Sequence, residues 1–302
     1  MFDILVLGEL NVDLILRGDV VPEWNQTEKL IDDATLTLGS SSAIFACGAA
    51  RLGLRVAFVG VVGDDLLGRF CREALEARGV DTSGVVVDGA LRTGMTVILQ
   101  LPDDRAMLTF PGAIPMLRAE MVDPVLLEAA RHIHVGSYFW QTALQPGLPA
   151  LFGQARARGA STSIDTQWDP SGQWAGLDAV LAAADILLPN EAEACALAGA
   201  ADWRPALASL ASRVPTVAVK RGAEGAAARR GAAFTEMAAP AVQMVDAVGA
   251  GDSFDAGFVY GALAGWPLDR SLALAVACGA LSTRAAGGTA AQPTLEEALA
   301  LC

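Results

Sequence analysis

The chain alternates between short continuous apolar runs and longer stretches in which apolar residues return every three or four positions. Residues 4–8 form the first run and 56–62 the second, a pattern that predicts parallel strands buried on both faces. Further strands are predicted at 132–136, 162–166, 186–188 and 216–220. Helical periodicity predicts helices at 41–52, 66–78, 148–158, 177–184, 191–197 and 205–213, with Gly53 and Gly79 as stop signals. Two mainly helical stretches, 253–263 and 268–284, finish the pattern. Strand–helix units repeated in this way imply a parallel sheet covered by helices on both faces, an α/β fold in three layers.

Two stretches break the rhythm. Residues 14–38 are of mixed polarity, contain Pro22, and alternate at Thr35-Leu36-Thr37-Leu38. Residues 93–101 also alternate, with Met95, Val97 and Leu99 on one face; Pro102-Asp103-Asp104-Arg105 then reads as a turn and 106–110 as the returning strand. Together they predict a small β-strand lid, from about 12–38 and 93–109, on a single domain spanning 1–302. Exposed lid edges are a pairing liability, so the expected assembly is a homodimer joined lid to lid.

Composition narrows the setting. With 53% hydrophobic residues among 302, the chain can bury a full core. It has no run of about 18 apolar residues, so no transmembrane helix is expected. The start, Met1-Phe2-Asp3-Ile4, lacks the basic region of a secretion signal. Cys47, Cys71, Cys195, Cys278 and Cys302 include no Cys-x-x-Cys, and an odd count without a secretion signal predicts reduced, mostly buried thiols in the cytoplasm. His132 and His134 share one strand face without a third ligand nearby, which favours packing over a zinc site. The net charge of −13 argues against nucleic acid or an anionic membrane as partner. It does not exclude a nucleotide, which needs only local positive potential. Lys29 and Lys220 are the only lysines.

The chemistry concentrates in Asp246-Ala247-Val248-Gly249-Ala250-Gly251-Asp252, which opens a long apolar helix. Gly249 and Gly251 have no Cβ, so successive backbone N–H groups can turn inward as an anion site, and the helix adds the positive end of its dipole. Such a place suits the charge developing on a transferring phosphoryl group. Asp252, in the first helical turn, is expected to stay ionised and face that site as a carboxylate base. The same residues also fit a plain glycine turn followed by a capping aspartate. Gly-x-x-x-x-Gly-Lys is absent, which removes a P-loop, and no Gly-x-Gly-x-x-Gly follows the first strand.

Asp-x-x-Gly-Ala-Gly-Asp before an apolar helix resembles the C-terminal signature of the ribokinase-like (pfkB) carbohydrate kinases, and the likeness runs from about Ile4 to about Pro293. The resemblance implies a ribokinase-like, Rossmann-like α/β/α fold. It also implies phosphorylation of a hydroxyl of a sugar-like molecule by ATP with Mg2+, with Asp252 as base and Gly249, Ala250 and Gly251 as cradle. In that family Asn190-x-x-Glu193 would help hold the magnesium–nucleotide complex, mainly through water, although this spacing is equally a capping box. Lys220 and the turn containing Gly222 and Gly225 would line the nucleotide. Asp246 and the carbonyl of Val248 would hold a monovalent cation such as K+.

On the acceptor side, the resemblance matches Asn11 and Asp13 to an Asn-x-Asp whose aspartate accepts sugar hydroxyls. The isolated residues also fit an exposed turn. The family's Gly-Gly signature reads here Gly39-Ser40-Ser41-Ser42-Ala43-Ile44. Ser40 adds bulk where a glycine is usual, and Ile44 replaces an amide, a hydrogen bond worth on the order of 1 kcal/mol. Asp165-Thr166-Gln167-Trp168 departs from Asp-x-Asn-x-Arg, whose arginine clamps the carboxylate of keto-deoxy acids, so the resemblance points away from such acids. A nucleoside kinase of the same fold is the alternative, with Phe110, Tyr138, Phe139 or Trp140 against the base; a catalytically weak sugar sensor is another.

Overall fold

The computed structural model describes residues 1–101 and 104–302. The chain begins with β1 (Ile4–Leu7), β2 (Asn11–Arg17), β3 (Asp33–Leu38) and α1 (Ser41–Arg51). The apolar run at 56–62 is split at Gly60 into β4 (Val56–Val59) and β5 (Val61–Gly63), followed by α2 (Leu66–Glu76) and β6 (Val86–Asp88). Next come β7 (Gly94–Gln100) and β8 (Arg105–Phe110). The turn expected at 102–105 includes Pro102 and Asp103, which lie outside the described residues. The regular alternation then runs through α3 (Pro124–Ala129), β9 (His132–Val135), α4 (Leu148–Ala157), β10 (Ser161–Ile164), α5 (Asp178–Ala183) and β11 (Ile186–Leu187). It continues with α6 (Glu191–Ala198), α7 (Trp203–Leu210), β12 (Thr216–Lys220), β13 (Ala226–Arg230) and β14 (Ala233–Met237). Three helices close it: α8 (Ala250–Leu263), α9 (Leu268–Ser282) and α10 (Leu295–Leu299).

The central sheet has the order β14-β13-β12-β11-β10-β9-β1-β4. From β12 to β4 every pairing is parallel. The last two strands are antiparallel, so the expectation of a wholly parallel sheet is corrected at this edge. Ala226-Ala227-Ala228-Arg229-Arg230 has no β-branched or aromatic residue and gives no strand signal; pairing with β12 decides its conformation.

Alternation along each strand builds the layers. Ile4, Val6 and Phe58 point into one core, with residues of α1, α8 and α9. Leu5, Leu7, Val59, Ile133 and Val135 point into the other, with residues of α4, α5 and α7. A helix layer therefore covers each face of the sheet. Beside this body, β3-β2-β7-β8 form a separate four-stranded sheet, in which β2 and β7 pair in parallel and β3 and β8 are the edges. Among the described residues no helix is long and apolar enough to cross a membrane.

Both histidines are buried in the sheet. His132 contacts the Ser161 and Ser163 hydroxyls at 2.7 Å each, and His134 contacts Ser163 at 2.8 Å while stacking on Phe45. Burial pushes His132 down to about 3 and His134 well below the ordinary range, so both stay neutral core residues.

Candidate active site

The strands β1, β10, β11 and β12 are parallel, so the loops after them open on one edge of the sheet, where open α/β sheets place ligands. Those loops carry Glu9, Asp165 and Gln167, Asn190, and Gly222 with Gly225, and Asn11 opens β2 directly after the first of them. The N-terminus of α8 meets them. Gly249 caps that helix at φ 73°, and a Cβ there would lie 2.6 Å from the Cα of Gly288. Only glycine suits this turn. At the start of α8 the Ala250 N–H donates to the Ala247 carbonyl at 3.3 Å, while the Gly251 N–H that follows has no carbonyl one turn back to bond.

Asp252 lies in that first turn and is 7% exposed. Ser41, at the start of α1, donates its hydroxyl to Asp252 Oδ1. Burial, reinforced by the charge of nearby Asp165, pushes the Asp252 carboxyl up to about 7; Ser41 and Lys220 pull the other way. The simple expectation of a fully ionised aspartate is thereby revised, because the sequence does not reveal how much negative charge the fold gathers here.

That charge comes from loops distant in sequence. Carboxylate oxygens of Asp165, Asp252 and Asp255 lie within 4.8 Å of one another. Lys220 Nζ reaches Asp165 Oδ2 at 2.9 Å and both oxygens of Asp255 at 3.2 Å. Burial opposes charge on all three, but the two carboxylates outweigh it at Lys220 and hold its ammonium protonated. Asp165 keeps its charge through Lys220, while burial pushes Asp255 well above the usual carboxylate range. The Lys220 side chain also runs 3.5–3.8 Å from where a Gly251 Cβ would stand, so it does border the anion turn. Its ammonium, however, is committed to two carboxylates. Asp255 belongs to no motif of the sequence; its position three residues after Asp252, on the same helical face, is the signal that marks it.

On the opposite side, Asn11 and Asp13 converge on Gly39, where a Cβ would stand 2.7 Å from Asn11 Nδ2 and 2.4 Å from Asp13 Oδ1. Burial pushes Asp13 up to about 6; Arg105 of β8 opposes this and Glu9 adds to it. Glu9, unremarked in the sequence, is a buried carboxylate bound by the Ser42 amide at 3.2 Å, the Ser42 hydroxyl at 2.6 Å and the Ser137 hydroxyl at 2.9 Å. Ser40 takes φ 68°, the left-handed conformation that glycine would adopt freely, and spends its hydroxyl on local structure. It accepts from the Ala43 amide at 3.0 Å and donates to the Glu9 carbonyl at 2.5 Å. Ile44 is buried, and its side chain packs against Gly249 and Gly288.

A cavity of about 530 Å³ opens beside the anion turn. Its walls include Gly222, Gly225, Val242, Met244, Gly251 and Phe254. Asn190 and Glu193 form the capping box that the spacing allowed. Asn190 Oδ1 accepts from the Glu193 amide at 2.9 Å, and the Glu193 carboxylate accepts the Asn190 N–H at 2.9 Å and Nδ2 at 2.6 Å. Burial, then the charge of Asp165, pushes Glu193 up to about 7. Asp246 joins two loops, accepting the Val248 amide and the Gly287 amide at 3.0 Å each.

The family model described as pfkB family carbohydrate kinase matches residues 1–295. An ATP-dependent ribose-1-phosphate kinase of Halopiger xanaduensis is 32% identical, covering 98% of this chain and 96% of that protein. A fructokinase of Klebsiella pneumoniae is 34% identical over 96% of both chains. Among solved structures, Arabidopsis thaliana ribokinase complexed with ribose and ATP superposes with a TM-score of 0.87 at 24% identity, over 99% of this chain and 98% of that one. This last likeness concerns the fold, which is ribokinase-like. A match spanning nearly the whole chain, joined to relatives above 30% identity over nearly its full length, establishes that the protein belongs to the pfkB family of carbohydrate kinases.

Proposed function

We propose that the protein transfers the γ-phosphoryl group of ATP to a hydroxyl of a neutral, sugar-like acceptor, with Asp252 as the proton acceptor. One observation carries this reading: a buried carboxylate, bonded by the Ser41 hydroxyl, stands in the first turn of a glycine-opened helix whose preceding residue, Gly251, lines an apolar cavity. The cavity suits a nucleobase and ribose, with Gly222 and Gly225 at its rim. The amides of Gly249, Ala250 and Gly251 would stabilise charge on the phosphoryl group. A loose phosphoryl-transfer transition state needs positioning and neutralisation more than a strong base, so a carboxylate suffices.

Mg2+ would supply charge neutralisation between the phosphates. Both carboxylate oxygens of Glu193 already accept from Asn190, so these two residues suit a hydrated ion held through water rather than directly. Asp246 and the Val248 carbonyl are the candidate holders of a monovalent cation such as K+. Asn11 and Asp13 would take the acceptor's hydroxyls, with Gly39 leaving room for both side chains. Ser40 and Ile44 would shape the wall beside them. The sheet β3-β2-β7-β8 would close as a lid and exclude water from the transfer. Its two free edges and exposed Leu36, Met107 and Leu108 support pairing of two copies through it. Five free cysteines, of which Cys47, Cys71 and Cys278 are buried, support a reducing, cytoplasmic setting.

The direct test is ADP release from Mg·ATP across hexoses, pentoses, keto-acids, sugar phosphates and nucleosides. Turnover is expected with neutral hexoses or pentoses. Turnover confined to nucleosides would move the acceptor class, and ATP and sugar binding with no turnover would make the protein a sensor. A second expectation concerns pH. A base must be ionised to accept a proton, and burial pushes Asp252 up to about 7. Initial rates across pH 5–9 should therefore show kcat/KM rising about tenfold per pH unit below that value and levelling above it. A flat profile down to pH 5 would remove Asp252 as the titrating base.

A further inference from the structure

We infer that Gln167 is a positioning residue for phosphoryl transfer: acting through the Ser41 hydroxyl, it orients one oxygen of Asp252 and keeps that carboxylate a hydrogen-bond acceptor. The inference rests on the reading of Asp252 as the base.

Gln167 follows β10 in a left-handed backbone conformation, φ 54°, which is uncommon for a residue with a side chain and is found where the surroundings enforce it. Asp165 does the enforcing. Its Oδ1 accepts the Gln167 backbone amide at 3.1 Å and its Oδ2 accepts Gln167 Nε2 at 3.2 Å. Lys220 grips the same Oδ2 at 2.9 Å, so the anchor is itself fixed by charge. The contact with a carboxylate also settles the amide's orientation, because an amide oxygen in that place would face Asp165 without a proton to share.

From this anchor, Gln167 Nε2 donates to Ser41 Oγ at 2.6 Å. A hydroxyl has one proton. With its oxygen already accepting from Gln167, Ser41 directs that proton to Asp252 Oδ1. The polarity of the chain is therefore set: Asp165 receives, Gln167 gives to Ser41, and Ser41 gives to Asp252. One oxygen of the base is held and the other is left for the acceptor hydroxyl.

The surroundings explain why such a device is needed. The charged groups that act on Asp252 are Asp165 after β10, Lys220 of β12 and Glu9 after β1, and Asp255 of α8 lies beside it with its carboxyl held well above the usual range. The two carboxylates, Asp165 and Glu9, disfavour a further negative charge. Lys220 and the Ser41 hydroxyl favour it. Withdrawing the donor at Ser41 or Gln167 tips this balance towards a protonated, less oriented Asp252. If Gln167 merely braced the loop, its replacement would change stability or overall rate without moving the pH at which activity appears.

The experiment measures kcat/KM for the acceptor from pH 5 to 10 in the full-length protein and in Gln167→Met, Gln167→Glu, Ser41→Ala and Ser41→Thr, with Tm recorded alongside. Gln167→Met and Ser41→Ala should move the acid limb up by about one pH unit, so that their loss at pH 6 exceeds their loss at pH 9 by about tenfold. Gln167→Glu, which adds a charge and removes the donor, should move it further. Ser41→Thr keeps the hydroxyl and should keep the parental limb. Acid limbs that coincide in all five proteins, with Asp252→Asn inactive, would overturn this inference alone. Turnover surviving in Asp252→Asn would overturn the base reading and this inference with it.

Discussion

Asp252→Asn is expected to lower kcat by about 10³-fold while leaving the ATP dissociation constant within about threefold. The size follows from the two parts of the site. A positioned general base contributes roughly 10²–10⁴-fold. Phosphoryl transfer leans less on the base than on positioning, which argues against the top of that range. Asparagine has nearly the shape of aspartate, and its side-chain oxygen can still accept from Ser41. The anion turn and the apolar cavity are untouched, so nucleotide binding persists. Stability should not fall, because the substitution removes a carboxylate whose charge burial and Asp165 already oppose. The measurement pairs ADP release under saturating substrates with calorimetric titration of ATP and a thermal melt. Loss of rate together with loss of ATP binding would mean that Asp252 supports the nucleotide site instead, and full turnover would remove it from the chemistry.

The strands and the glycine turn were legible in the sequence because each has a local cause. Ile4 to Leu7 must be buried on both faces, and Gly249 must turn where no side chain fits. The hairpin at Ala226 and Ala233 was not, since alanine carries almost no strand preference and the conformation comes from pairing with β12. Site residues divide in the same way. Asp252 sits beside its own turn and could be read locally. The family resemblance sets Lys220 along the nucleotide, but it does not show that its ammonium meets Asp165 and Asp255, 55 and 35 positions distant. Asn190 and Glu193 were ambiguous between cap and metal, and the capping box is present because both partners lie within one helical turn. Ser41 reaches Asp252, 211 positions away, a contact no spacing rule contains.

Lys220→Met is expected to destabilise the protein by about 3–5 kcal/mol near pH 8, the cost typical of stranding buried charge by removing its partner. Methionine fills most of the lysine stem's volume, so the loss reflects charge rather than a cavity. Asp165 and Asp255 are 1% exposed each and would face one another without a cation. The pH dependence separates this cause from any packing defect. In the variant both carboxyls should titrate above their unfolded values. A carboxyl raised in the folded state takes up its proton before the unfolded chain does, so folding gains stability as pH falls through the raised value. The deficit relative to the parent should therefore shrink between pH 8 and pH 5, and Lys220→Met combined with Asp255→Asn should recover part of it at pH 8. Denaturant titrations at pH 8, 6.5 and 5 measure all of this. A deficit that stays constant with pH would assign Lys220 to packing. A shrinking one would identify it as the counter-charge that lets Asp165 stay ionised, and through Asp165 would tie the wall of the apolar cavity to Gln167 and Ser41, which hold Asp252.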